Sequence, residues 1–172
     1  MVTDNLAKLQ KTSGYVSTVA LIVMILVTIL MIVSAILLIV CVLNAELLHE
    51  VAEATEIVEG DIKILLGLII LSLVFVDVIM YIAYKMFDDI KKSYTPFKKE
   101  NSKRLMQISY LLIIYSIVLP IISTVVMGCV DLNDDVRIDF NPVFIAVAVI
   151  FYCMSLVFGY GTKLQQESDE TL

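Results

Sequence analysis

Residues 15–43 read YVSTVALIVMILVTILMIVSAILLIVCVL, 29 residues without a charge. A bilayer core needs about 20 helical residues, because each residue of an α-helix adds about 1.5 Å. A segment this long predicts a transmembrane helix that tilts or projects beyond the hydrocarbon. It also exceeds the apolar core of a signal peptide, which spans about 7–15 residues.

Three further apolar segments follow, at about 64–84, 105–130 and 142–160, and only Asp77 interrupts the first of them. Hydrophobic residues make up 60% of the chain and charged residues 17%, whereas average soluble domains have about half and about a quarter. Because backbone polar groups in lipid must be satisfied within the element, each segment is predicted to be a helix. We expect an all-α integral membrane protein, with residues 1–172 forming a single domain of four transmembrane helices.

The basic residues predict the orientation of this domain. Ten of the twelve Lys and Arg residues precede the first span, lie in the 85–104 loop, or follow the fourth span. The loops at 44–63 and 131–141 hold the other two, together with ten acidic residues. Because Lys and Arg accumulate on the cytoplasmic side, we predict a multi-pass protein of the cytoplasmic membrane. Both termini, the 85–104 loop and the 161–172 tail would be cytoplasmic.

The first outer loop carries glutamates at spacings of three or four residues, from Glu46 to Glu59. This period predicts an amphipathic helix over residues 45–61. Its acidic face has two interpretations: a vestibule that gathers cations or a basic peptide, or a solvated surface that enforces topology.

The second outer loop opens like a calcium-binding loop, with Asp131, Asn133 and Asp135 at alternate positions. The pattern then fails, because Val136 and Pro142 stand where such a loop has Gly and Glu. We therefore expect no specific calcium site, and no other metal or cofactor site, while loose binding of divalent cations by this acidic loop stays open.

Asp77 lies near the middle of the second span. A central Asp costs about 2.5–3.5 kcal/mol on insertion scales and normally faces the bundle interior with a partner. It either takes part in proton or ion translocation or clamps helices together. The candidate hydrogen-bond partners for a clamp are Ser72, Tyr115, Ser116, Ser123 and Thr124.

Other polar features of the spans carry weaker signals. Pro120 removes a backbone donor and is expected to weaken or kink the third span. Cys41 and Cys129 fall near the outer ends of their spans, where they form either a disulfide or small apolar core residues. His49 is the only histidine, and the sequence has no Ser-His-Asp set, Walker loop or HExxH motif. We therefore predict that the protein is not an enzyme.

The cytoplasmic loop holds an apparent helix start. Thr95 and Pro96 are residue types favoured at the N-cap and the first helical position. The helix would continue through the basic residues 97–104 into the third span. Such a basic turn binds anionic lipid headgroups, docks an acidic partner surface, or acts only as a topology signal.

Two segments of the sequence resemble a known family. They are residues 96–108, PFKKENSKRLMQI, and the tail 160–172, YGTKLQQESDETL. Together they resemble the prokaryotic membrane family catalogued as domain of unknown function 2975. Members of that family have four spans and end in a tail of the form Gly-x-x-Leu-Gln-x-Glu-x-Asp-x-Thr-apolar.

Members are often encoded beside an Xre-type helix-turn-helix regulator, so the resemblance implies a membrane partner of a transcription factor. The expected partners are the bilayer and that regulator. No direct nucleic-acid contact is expected, since the loops are too short for a helix-turn-helix. The sequence leaves open whether the protein forms a homo-oligomer. The candidate docking residues lie in the loop and the tail: Pro96, Phe97, Glu100, Asn101, Arg104, Gly161, Leu164, Gln165, Glu167, Asp169 and Thr171.

These residues support three hypotheses for function. The first is a sensor or sequestering partner of the regulator, docked on the cytoplasmic loop and tail. The tail alternatively folds back on the loop, with Glu167 or Asp169 pairing with Lys98, Lys99 or Arg104. The second hypothesis is a small transporter or accessory channel subunit that uses Asp77. The third is a purely structural membrane protein.

Overall fold

The computed structural model describes residues 2–55, 57–130 and 141–170, apart from the side chains of residues 2–6, 127, 129, 130 and 169. Within these residues the chain is helical, with short connections. The helices are α1 (Val2–Leu43), α2 (Ala45–Thr55), α3 (Glu59–Ser93), α4 (Lys99–Val130) and α5 (Pro142–Glu170).

Four of these helices, α1, α3, α4 and α5, are long and apolar enough to cross a membrane. Helix α1 ends at Leu43, the last residue of the first apolar segment, and α5 begins at Pro142, the first residue of the fourth. After Val130, the last residue described in α4, residues 131–140 lie outside the described residues. Asn141 and Pro142 are residue types favoured at the N-cap and first helical positions.

The helices nevertheless extend beyond the predicted spans. The first helix begins at Val2, α3 runs to Ser93 and α5 runs to Glu170. Bilayer thickness limits the apolar length of a spanning helix, but it does not limit how far the helix continues into water. The predicted 85–104 loop is therefore helical at both ends and irregular only at residues 94–98, which we call the linker.

Large apolar side chains are exposed along all four long helices. On α1, for example, Ile25, Ile29, Ile32 and Ile36 are each about half exposed. Contiguous apolar surface of this kind is rare on soluble monomers. It suits a bilayer, where lipid tails cover the apolar side chains.

Contacts divide the chain into two compact units. The first unit contains α1 up to Met24, α3 from Val78, α4 up to Ile113, and α5. Its core includes the buried side chains of Met86, Ile90, Leu105, Ile108 and Leu112, together with Ala148. Because Ala148 is completely buried and carries only a methyl group, α4 and α5 approach closely there.

The second unit contains the remainder of α1, α3 and α4, together with α2. Asn44 starts α2: its carbonyl oxygen accepts from the amide of Leu48 and its side-chain oxygen accepts from the amide of Leu47. Leu48 is only 2% exposed and packs with Cys41 and Ile62. The predicted amphipathic helix is therefore confirmed, although it ends at Thr55 and not at residue 61.

The predicted start of α4 at Thr95 and Pro96 is wrong. The helix begins at Lys99, and the carbonyl oxygen of Lys98 accepts hydrogen bonds from the amides of Asn101 and Ser102. Thr95 instead stabilises a turn before the helix, because its Oγ1 accepts a hydrogen bond of 3.2 Å from the amide of Phe97. Hydroxyl side chains make such local bonds to the backbone in turns.

Candidate functional site

The linker packs against the C-terminal part of α5, within the first unit. Phe97 faces the ring of Phe158, with 5.6 Å between the ring centroids. It also covers Gly161, where an added Cβ would lie 2.7 Å from Phe97 Cε1. Gly161 is therefore required for close approach of the linker. We call this contact, with the two polar contacts described next, the linker–α5 junction.

A second contact of the junction joins Thr95 to Gln165. Thr95 Oγ1 donates a hydrogen bond of 3.2 Å to Gln165 Oε1. Thr95 directly precedes the first segment of the family resemblance, and Gln165 lies in the second. Since Phe97 also packs on Gly161, the two segments meet in space.

The third contact fixes the linker to the start of α4. Asn101 is fully buried, and its Nδ2 donates a hydrogen bond of 3.1 Å to the carbonyl oxygen of Pro96. Its Oδ1 accepts a hydrogen bond of 3.1 Å from Arg104 Nη1. Since a buried amide without partners costs about 1–3 kcal/mol, these bonds account for an Asn at a buried position.

Arg104 forms an ion pair with Asp89 of α3, and its Nη1 also contacts the carbonyl oxygen of Lys85 at 3.3 Å. The predicted pairing of a tail acid with Arg104 stays a prediction, because the side chain of Asp169 lies outside the described residues. The tail does contact the linker, through Gly161 against Phe97 and Gln165 against Thr95. Sequence reasoning missed Asp89; the signal was a pair of adjacent acids, Asp88 and Asp89, in a segment that is rich in basic residues.

The predicted docking residues separate into two groups. Pro96, Phe97, Asn101, Arg104, Gly161 and Gln165 build the junction itself. A second group lies at the surface and makes none of the junction contacts; it consists of Glu100, Leu164 and Glu167. The side chain of Asp169 and the whole of Thr171 lie outside the described residues.

A groove of about 610 Å³ runs between the linker and α5. Lys98 and Glu100 line one side of this groove, and Gln165 and Gln166 line the other. The groove therefore offers charged and amide groups from both motif segments to a single ligand surface. We call it the docking groove.

Asp77 has a partner that sequence analysis did not name. Thr28 Oγ1 of α1 donates a hydrogen bond of 3.1 Å to Asp77 Oδ1, within the second unit. Two of the predicted partners, Ser72 and Tyr115, bond each other at 2.9 Å between their hydroxyl groups. Ser123 donates to the carbonyl oxygen of Pro120 in its own helix. Thr28 was overlooked because a lone Thr in a long apolar helix gives no signal of its neighbours.

The remaining candidates from the sequence are the cysteines, the calcium-like segment and His49. Cys41 is a buried free thiol, as the apolar-core interpretation predicts, and the side chain of Cys129 lies outside the described residues. The calcium-like segment 131–139 also lies outside them. Among the side chains that the structure describes, no three of His, Cys, Asp and Glu form a group that could hold a metal ion. His49 is an exposed residue of α2 that lies near Glu53 of the same helix and Glu59, the first residue of α3.

Four spanning-length helices define a multi-pass, all-α membrane protein. A family model described as "Protein of unknown function (DUF2975)" matches residues 46–172, and the chain belongs to this family. The match contains the linker, α4 and α5, and so includes every residue of the junction. Neither a curated protein nor a solved structure matches the chain.

Proposed function

We propose that this protein is a non-enzymatic partner of a cytoplasmic helix-turn-helix regulator of the Xre type, and that it senses a signal or sequesters the regulator at the membrane. The protein would lie in the cytoplasmic membrane of a prokaryote with both termini inside. The observation that carries this proposal is the junction, in which Phe97 packs on Gly161 and Thr95 bonds Gln165.

The junction supports docking because it orders two distant segments before any partner arrives. Groups that are already held in place lose less conformational entropy on binding, which favours affinity. The exposed residues around the docking groove include Lys98, Glu100 and Gln165. Their mixed charge suits a specific polar contact, and the excess of basic residues at this end supports a cytoplasmic position.

The proposal is tested by affinity purification of the full chain from native membranes. Glu100→Lys and Leu164→Glu each change an exposed residue and leave the junction contacts intact. We expect a small DNA-binding protein with the wild-type chain and at least a tenfold lower yield with the double variant, since interface residues that matter contribute about 1–2 kcal/mol or more. A chain that ends before Leu164 would also lose the partner.

Glu53→Lys is the matched control, because it reverses an exposed acid on α2, which we place on the outer side. It should retain the partner in full. Recovery of no DNA-binding protein by the wild-type chain, or equal recovery by the double variant, would contradict the proposal.

The hydrogen bond between Thr28 and Asp77 supports transport as a second candidate function, since both side chains are half-buried polar groups within apolar helices. If Asp77 conducts ions or protons, Asp77→Asn removes flux in proteoliposomes, because the amide carries no charge. If Asp77 only clamps helices, Thr28→Val lowers stability by about 0.6 kcal/mol and neither variant changes flux. A purely structural protein would show no effect of either the docking or the transport variants on partner binding or flux.

A further inference from the structure

A second groove, of about 510 Å³, lies between α4 and α5 in the first unit. The two helices approach closely there: Ser102 Oγ donates a hydrogen bond of 2.7 Å to the carbonyl oxygen of Ser155. A Cβ on Gly159 would lie only 3.2 Å from Ser102 Oγ. The groove is therefore held by a fixed contact between its two helices.

The lining of this groove changes from cationic to apolar along its length. On α4, Lys99 precedes Met106 by two helical turns, and on α5, Lys163 follows Leu156 by two turns. Two turns correspond to about 11 Å along the helix. Because α4 begins and α5 ends at this end of the unit, both lysines lie at one end of the groove and both apolar residues lie at the other.

We propose that this groove binds one anionic glycerophospholipid, with the phosphate between Lys99 and Lys163 and an acyl chain over Met106 and Leu156. Neither lysine forms an ion pair among the side chains that the structure describes. Leu156 is 56% exposed on a spanning helix, so its side chain is available to a lipid tail. A soluble anion would match the lysines but would leave the apolar end uncovered.

This lipid site is independent of the docking proposal, because it needs no regulator. It is tested by native mass spectrometry of the full chain in detergent, titrated with dioleoyl phosphatidylglycerol and, separately, with dioleoyl phosphatidylcholine. We expect one phosphatidylglycerol to bind more tightly than phosphatidylcholine. Lys99→Gln with Lys163→Gln should weaken phosphatidylglycerol binding about 30-fold, which corresponds to about 1 kcal/mol for each lysine.

Lys8→Gln with Lys103→Gln is the matched control, since it removes the same charge from two exposed lysines that do not line the groove. It should leave the dissociation constant within about twofold, because exposed charges away from the site are screened. Leu156→Trp tests the apolar end by filling it with all charges in place, and it should also weaken binding of the lipid.

Three results would overturn the lipid site. If the Lys99 and Lys163 double variant bound phosphatidylglycerol with the same dissociation constant as the wild type, the proposed phosphate contact would be excluded. Competition by free glycerol phosphate at the same concentration as the lipid would show a site for a soluble anion. If the wild-type chain gave the mass of a dimer and Leu156→Trp gave only the monomer, a second copy of the chain would occupy the groove.

Discussion

At the residue scale, Gly161 is the position where the junction depends most on the absence of a side chain. An added Cβ would overlap the Phe97 ring, and overpacking of this kind costs about 1–3 kcal/mol. We therefore predict that Gly161→Ala lowers the stability of the protein in detergent, measured by thermal unfolding followed by circular dichroism.

Two matched variants separate this clash from a general effect of alanine in helices. In a Phe97→Ala background, Gly161→Ala should become stabilising by about 0.5–1 kcal/mol, because Ala is the better helix former. Gly67→Ala in α3 should be stabilising by a similar amount, since nothing lies within 4 Å of its added Cβ. If Gly161→Ala lowered the stability equally in the wild-type and Phe97→Ala backgrounds, the contact with the Phe97 ring would not be the cause.

Asn101 and Ser109 offer a second comparison between single residues, because both are completely buried polar residues of α4. Asn101 bonds Pro96 and Arg104, whereas Ser109 Oγ has no hydrogen-bond partner among the described residues. Asn101→Ala should therefore cost about 1–3 kcal/mol, and Ser109→Ala should change stability by less than about 1 kcal/mol, toward greater stability. Thermal unfolding measures both, and equal destabilisation would contradict the assigned bonds.

At the element scale, α3 ends in a residue with unusual backbone geometry. Tyr94 has a φ of 56°, and its amide donates a hydrogen bond of 3.0 Å to the carbonyl oxygen of Ile90. A left-handed residue in this position closes many helices, and it is usually Gly, because a side chain there costs about 1–2 kcal/mol.

Tyr94→Gly should therefore stabilise the protein, by about 0.5–1 kcal/mol after the loss of the exposed contact between Tyr94 and Gln10. The control is Tyr110→Gly, a half-exposed Tyr within α4, which should destabilise by about 0.5 kcal/mol or more. Thermal unfolding of the two variants gives the comparison. A loss of stability at Tyr94 as large as that at Tyr110 would exclude strain at this helix end.

The sequence predicts the helices better than their ends. Long uncharged segments require spanning helices, so the end of α1 at Leu43 follows from where the apolar residues stop. The extension of α1 to Val2 does not follow, because charged residues continue a helix in water without any change of local pattern. Thr95 was misassigned as an N-cap because its hydroxyl bonds Gln165, a residue that only tertiary structure brings near.

The candidate site was predicted only in part, because its contacts also depend on tertiary structure. The two family segments were recognised from sequence, but their division into junction and surface residues depends on packing. The partner of Asp77 was also missed, since it lies on another helix, at Thr28. Pairings between helices leave no periodic trace within either helix.

At the scale of the whole molecule, the charge distribution predicts that α2 and the end of α5 lie on opposite sides of the membrane. In a chain with Cys41, Cys129 and Cys153 replaced by Ser, Glu53→Cys should react with a membrane-impermeant maleimide in intact cells. Gln166→Cys should react only after permeabilisation. Both positions are exposed in the structure, so the reverse labelling pattern would contradict the predicted orientation.

The central claim, that the junction presents a docking face to a cytoplasmic regulator, is tested most directly by photo-crosslinking in living cells. A photoreactive residue replaces Leu164, an exposed residue of the tail, and a second chain carries it at Ile36, an exposed apolar position of α1. We predict an adduct between position 164 and a small DNA-binding protein, lost when Glu100→Lys is added, and no such adduct from position 36. Absence of any adduct with a DNA-binding protein at position 164 would contradict the account.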